Sequence, residues 1–125
     1  NTQAKAVRGS SILVLGAAYK RDIDDYRESP ALDVMAKLLQ KGAALTYHDP
    51  YVPEIHAREW GGGFDMTSVP LTDAALQSAD CVVILTDHST FDYATIVRES
   101  KLVVDSRNAI KTPAPHVFKL GSGKK

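Results

Sequence analysis

Three short apolar runs rich in β-branched residues limit what this chain can become: Ile12-Leu13-Val14-Leu15, Cys81-Val82-Val83-Ile84-Leu85 and Leu102-Val103-Val104. Each is too short for a helix of ordinary length and too continuous for a strand with one face in water, so each reads as a strand buried on both faces. Segments with helical spacing lie between them. Leu32, Met35, Ala36 and Leu39 recur at i, i+3, i+4 and i+7, which predicts a helix over 29–41 with Ser29 as N-cap, Pro30 in the first turn and Gly42 as its stop. Further helices are predicted over 72–79, with Ala75, Leu76 and Ala79 inward, and over 91–100, with Tyr93, Ile96 and Val97 on one face. Strands alternating with helices imply right-handed βαβ units. The expected fold is therefore α/β, a Rossmann-like, doubly wound, mainly parallel sheet in a single domain.

The remaining organisation is plainer. Residues 1–10 are polar and read as a leading segment, the end of a helix continuing from upstream; 11–111 form the domain, with strands at 11–16, 44–49, 81–86 and 102–106. The stretch 51–69 contains Gly61-Gly62-Gly63 and is the least regular; a short helix over 53–60 and a short edge strand over 66–69 are expected there. Residues 112–125 carry Pro113 and Pro115 and end in Gly-Ser-Gly-Lys-Lys; they read as a tail without a core of its own. With 125 residues there is room for one core.

Fifteen basic residues balance fifteen acidic ones, which gives no electrostatic case for nucleic acid or an anionic membrane surface. No apolar run approaches the roughly 20 residues of a membrane span, and no signal-peptide core is visible, so a soluble, cytoplasmic protein is expected. The single cysteine, Cys81, permits no intrachain disulfide and no cysteine-based zinc site. It opens an apolar strand with no adjoining cation to lower its pKa, so it reads as a small buried hydrophobe and not as a nucleophile.

In an open parallel sheet ligands gather beyond the carboxyl ends of the strands. Those ends carry Tyr19-Lys20, His48-Asp49, Thr86-Asp87-His88 and Asp105-Ser106-Arg107-Asn108. The loop over 16–30 is the most charged, with Lys20, Arg21, Asp22, Asp24, Asp25, Arg27 and Glu28 ahead of the Ser29 cap. Cations beside the positive end of a helix outline an anion site, and the same residues could equally form a solvated, salt-bridged connection. Asp24 and Asp25 read as ion-pair partners of Arg21 and Arg27 or as helix-start residues. His48 and His88 could act as base or ligand, but histidines at strand ends more commonly bond backbone at a turn. Their spacing matches no metal site. Gly16 stands alone where Gly-x-Gly-x-x-Gly would be needed, so no independent NAD site is predicted.

The stretch 19–30, Tyr-Lys-x-Asp-x-Asp-Asp-x-Arg-Glu-Ser-Pro, resembles the signature of the C-terminal, UDP-binding domain of the UDP-glucose/GDP-mannose dehydrogenase family, nearest to the UDP-N-acetylhexosamine and UDP-glucose 6-dehydrogenases. The resemblance extends over about 5–110 through Tyr47-His48-Asp49-Pro50-Tyr51-Val52-Pro53, Thr86-Asp87-His88 and Val104-Asp105-Ser106-Arg107-Asn108. It implies a nucleotide-sugar-binding domain whose partners are a UDP-sugar and two further domains of the same enzyme, one N-terminal and NAD-binding, one central and helical. The full-length enzyme would be a homo-oligomer that oxidises the sugar C6 alcohol to a carboxylate with two NAD, through a thioester on a cysteine outside this chain. It further implies that Tyr19, Lys20 and Arg107 contact the UDP-sugar, that Arg27 reaches NAD held mainly by the N-terminal domain, that none of this chain's residues is catalytic, and that the isolated chain is inactive. The alternative from another class is a free-standing nucleotide-binding or regulatory module without catalysis.

Overall fold

In a computed structural model, which describes residues 7–27, 29–57 and 63–120, β1 (Ser11–Leu15) lies inside a five-stranded sheet. It pairs in parallel with β2 (Ala44–His48) on one side and with β5 (Cys81–Ile84) on the other. Beyond β5 come β6 (Val103–Asp105) and β7 (Val117–Lys119), also parallel. A separate antiparallel pair, β3 (Glu54–Ala57) and β4 (Phe64–Thr67), follows β2 in sequence.

Alternation along β1 divides the core in two, because successive side chains of a strand point to opposite faces. Ile12 and Val14 pack with Leu32 and Met35 of α1 (Pro30–Gln40), while Leu13 and Leu15 pack with Leu76 of α2 (Asp73–Ser78) and Ile96 of α3 (Tyr93–Glu99). Both faces of β1 are thus buried, as its continuous apolar run requires. Each fully buried Leu or Ile contributes about 1.5 to 3 kcal/mol relative to exposure. The helix ends follow local chemistry: Ser29 Oγ accepts from Ala31 N–H, Thr72 Oγ1 from Ala75 N–H and Asp92 from Thr95 N–H, with Pro30 as the first residue of α1.

Three expectations need correction. The helix over 53–60 is absent as far as the described residues reach: 54–57 form β3, with Ile55 and Ala57 buried and Glu54 and His56 exposed. That period-two alternation is a strand signature, and β4 supplies the hydrogen bonds. The edge strand expected over 66–69 begins two residues earlier, at Phe64, and pairs with β3 instead of the main sheet. The segment read as a tail contributes β7, with Val117 packed on the α2–α3 face. An edge strand needs one partner only, and both prolines precede it. Residues 1–6, Gly61 and Gly62, for which a leading helix end and a turn are expected, lie outside the described residues.

The chain leaves β1 toward β2 on one side and returns to β5 on the other. The carboxyl ends of β1 and β5 therefore flank the point where strand order reverses, where open α/β sheets carry their crevice.

Candidate functional site

Gly16 ends β1 with a φ of +88°, and a Cβ placed there would meet the Thr86 carbonyl oxygen at 2.4 Å. Only glycine fits such a crossing. Beyond it the chain is tied to its neighbours: Thr86 Oγ1 (2.7 Å) and Ser29 Oγ (3.1 Å) both donate to Ala18 O, and Tyr19 N–H donates to Asp25 O at 2.7 Å. Asp49, at the end of β2, is buried and accepts from Ala17 N–H, Ala18 N–H and Tyr51 N–H. Burial acts to raise its pKa, but the hydrogen bonds from His88 and from those amides outweigh burial and hold it below the usual carboxylate range.

The charged loop leans on the β5 end. Arg21 donates to Asp87 at 2.6 Å, and Asp22, in the left-handed region with φ of +62°, accepts from Ser89 N–H and Ser89 Oγ. These two bonds from Ser89 lower the Asp22 pKa. Arg107, after β6, brings its guanidinium to 3.8 Å from the same Asp87. Its backbone is set by Asp105, fully buried, whose carboxylate accepts from the N–H groups of Arg107, Ala109 and Ile110. Around Asp87 opens a cleft of ≈ 250 Å³ lined by Arg21, Ser89, Tyr93, Arg107 and Lys111 among others. Burial pushes the Tyr93 phenol up to about 12, so it stays a neutral donor, here to His88 O. Three cations, Arg21, Arg107 and Lys111, thus line the cleft with one carboxylate, a net positive surface of the kind that attracts anions.

Of the residues singled out in the sequence, Arg107 lines this cleft. Tyr19 and Lys20 are exposed on the adjoining loop and are not among its lining residues. Arg27 sits apart, exposed, with its guanidinium on Asp25 at 3.1 and 3.2 Å. The ion pairing expected for Asp25 is present, but Arg21 is taken by Asp87, 66 residues away in sequence. Arg21 and Lys111 also line the cleft, although the sequence assigns neither a ligand contact. For Arg21 the signal existed, a cation leaving a strand end; for Lys111, past the last expected strand, there was none. His48 bonds backbone, its Nδ1 2.7 Å from Val69 O, as expected of a strand-end histidine.

Residues 13–112 match the family model described as the UDP-binding domain of the UDP-glucose/GDP-mannose dehydrogenase family. The chain is 37% identical over 123 residues to a UDP-glucose 6-dehydrogenase of Rhizobium meliloti, covering 93% of this chain and 28% of that protein. It is 31% identical over 110 residues to a UDP-N-acetyl-D-mannosamine dehydrogenase of Methanococcus maripaludis, covering 80% of this chain and 23% of the relative. Among solved structures, a UDP-D-ManNAc dehydrogenase from Pyrococcus horikoshii superposes with a TM-score of 0.73 at 27% identity, over 99% of this chain and 28% of that one. The chain thus spans about a quarter of the length of the relatives it matches. A match across nearly all of the sheet, joined to the same fold, means that this chain belongs to the UDP-glucose/GDP-mannose dehydrogenase family as its C-terminal, UDP-binding domain.

Proposed function

We propose that this chain is the nucleotide-sugar-binding part of an NAD-dependent 6-dehydrogenase that converts UDP-N-acetylhexosamine or UDP-glucose to the uronate. The observation that carries the reading is the cleft at the β5 and β6 ends, where Arg107 and Arg21 flank Asp87. Arginine supplies a planar fork for diphosphate oxygens, and Lys20 on the adjoining loop adds a point charge beside the Tyr19 ring. The family's substrates suit this cleft.

NAD would be held mainly by another domain. A pyrophosphate needs close approach to glycine backbone, and the one glycine at the end of β1 is filled by Thr86. What this chain offers the cofactor is Arg27, exposed on the loop. When bound, NAD would accept hydride from the sugar carbon; the residues here bind and orient the substrate. With no fingerprint and no nucleophilic thiol, the chain by itself turns nothing over.

The test is NADH formation by the full-length enzyme with UDP-glucose and with UDP-N-acetylmannosamine. Arg107→Ala and Lys20→Ala should each raise the UDP-sugar KM about 10-fold or more, since a charge-assisted hydrogen bond is worth about 1.5 to 3 kcal/mol. Unchanged constants in both variants would reject the assignment, and turnover by the isolated chain would reject its inactivity. UDP binding by a protein without any dehydrogenase activity would favour a regulatory module.

A further inference from the structure

His88 is fully buried at the carboxyl end of β5, and both its ring nitrogens are engaged. Nδ1 lies 2.8 Å from the backbone nitrogen of Asp22, and Nε2 lies 2.8 Å from Asp49 Oδ2. An amide N–H can only donate, so Nδ1 is the acceptor and the proton sits on Nε2, which donates to the carboxylate. That same carboxylate oxygen accepts from Ala17 N–H at 2.7 Å and Ala18 N–H at 3.1 Å. One Asp–His couple therefore grips the β1–α1 loop twice, at 17–18 through Asp49 and at 22 through His88. Between those two grips lie Tyr19, Lys20 and Arg21. The ring itself cannot shift easily, since Tyr51 and Phe91 stand against it with centroids at 4.8 and 5.5 Å.

We propose that His88 is a positioning residue for nucleotide-sugar binding: by accepting from Asp22 N–H while anchored on Asp49, it sets the turn that presents Lys20 and Arg21 to the ligand's phosphates. The proposal rests on the functional reading above, in which Lys20 contacts the UDP-sugar. His88 is itself fully buried, so it acts through the loop it holds. Its two bonds have separable roles. The Nε2–Asp49 bond belongs to the core, whereas the Nδ1–Asp22 bond holds the loop backbone at 22, beside the two bonds the Asp22 side chain takes from Ser89.

Two conservative variants separate them. The amide of Asn falls where the ring Nδ1 lies, and that of Gln reaches where Nε2 lies. In the full-length enzyme, His88→Gln keeps the donor to Asp49 and loses the acceptor for Asp22. It should raise the KM for UDP-glucose about 10-fold with kcat within about twofold, the cost of one hydrogen bond. His88→Asn recovers the acceptor and should stay within about threefold of wild type. Hydrogen–deuterium exchange over 19–25 should quicken in His88→Gln and not in His88→Asn. Equal KM in wild type and both variants, equal loss in both, or unchanged exchange in His88→Gln would overturn the proposal. If the wild type oxidises no UDP-sugar, the functional reading fails and with it the positioning role. Faster exchange confined to His88→Gln would still show that His88 holds the loop.

Discussion

Asp87 is the shared counter-charge of Arg21 and Arg107, bonded to the first at 2.6 Å and 3.8 Å from the second. On the functional reading proposed above, the carboxylate repels an anion bound in the cleft and draws on the same two guanidinium groups. Asp87→Asn should tighten UDP binding at low salt about fivefold, because a like charge some 8 Å from a phosphate is worth about 1 kcal/mol at an intermediate effective dielectric. The gain should shrink as salt is added. Isothermal titration at two ionic strengths checks both; weaker binding by the variant would show that Asp87 matters more as an organiser of the arginines than as a competitor.

Gly16 should tolerate no side chain. Gly16→Ala places a methyl 2.4 Å from the Thr86 carbonyl oxygen and forces a φ of +88° on an L-residue. The backbone conformation costs about 1 to 2 kcal/mol and the overlap about 1 to 3 kcal/mol more. Urea denaturation should therefore show a loss of at least about 2 kcal/mol.

Asp49 should make stability sensitive to acid. Its folded pKa is lowered by hydrogen bonds from His88, Ala17 and Tyr51 that overcome its burial. The contribution is thus complete above the unfolded carboxylate value of about 4 and is lost as pH falls through the lower folded value. Asp49→Asn should cost about 1.5 to 3 kcal/mol at pH 7, since His88 and the loop amides lose a charged acceptor. The gap between wild type and variant in denaturant midpoint should narrow below pH 4.

Arg27 and Asp25 form an exposed pair, with the Asp25 pKa lowered first by the Arg27 side chain and then by its backbone N–H. Exposed pairs contribute little to stability. Arg27→Ala should leave the melting temperature of the chain unchanged within error, while the NAD KM of the full-length enzyme rises several-fold and UDP affinity stays constant. A destabilised domain with unaltered NAD kinetics would reassign Arg27 to loop ordering.

Cys81 should be slow to react. Burial, with a smaller effect from Asp80, raises its thiol to about 11, and it borders an apolar hollow with Val83, Val104 and Phe118. At pH 7 the thiolate fraction is then on the order of 1 in 10,000. Labelling with a disulfide reagent should be far slower in the folded protein than in urea, and a fast native reaction would refute the assignment.

The parallel sheet, its helices and the edge at which the polar strand ends gather were already determined by the sequence. Continuous β-branched runs have to be buried on both faces, and each parallel strand end comes out on the same side. The caps at Ser29 and the stop at Gly42 are likewise local events, settled within a few residues. Local pattern could not decide 54–57, where four residues are too few to separate strand from helix until β4 offers its hydrogen bonds. Nor could it decide 117–119, which becomes a strand only because β6 has a free edge. Of the charged loop, the local Arg27–Asp25 pair was legible but the distant partners were not. Arg21 and Asp22 have nearby carboxylates and cations in sequence, yet they bond to Asp87 and Ser89 more than sixty positions away. Charges choose partners by distance in space, and only the close passage of the β1 and β5 ends, Gly16 against Thr86, brings those distances into existence.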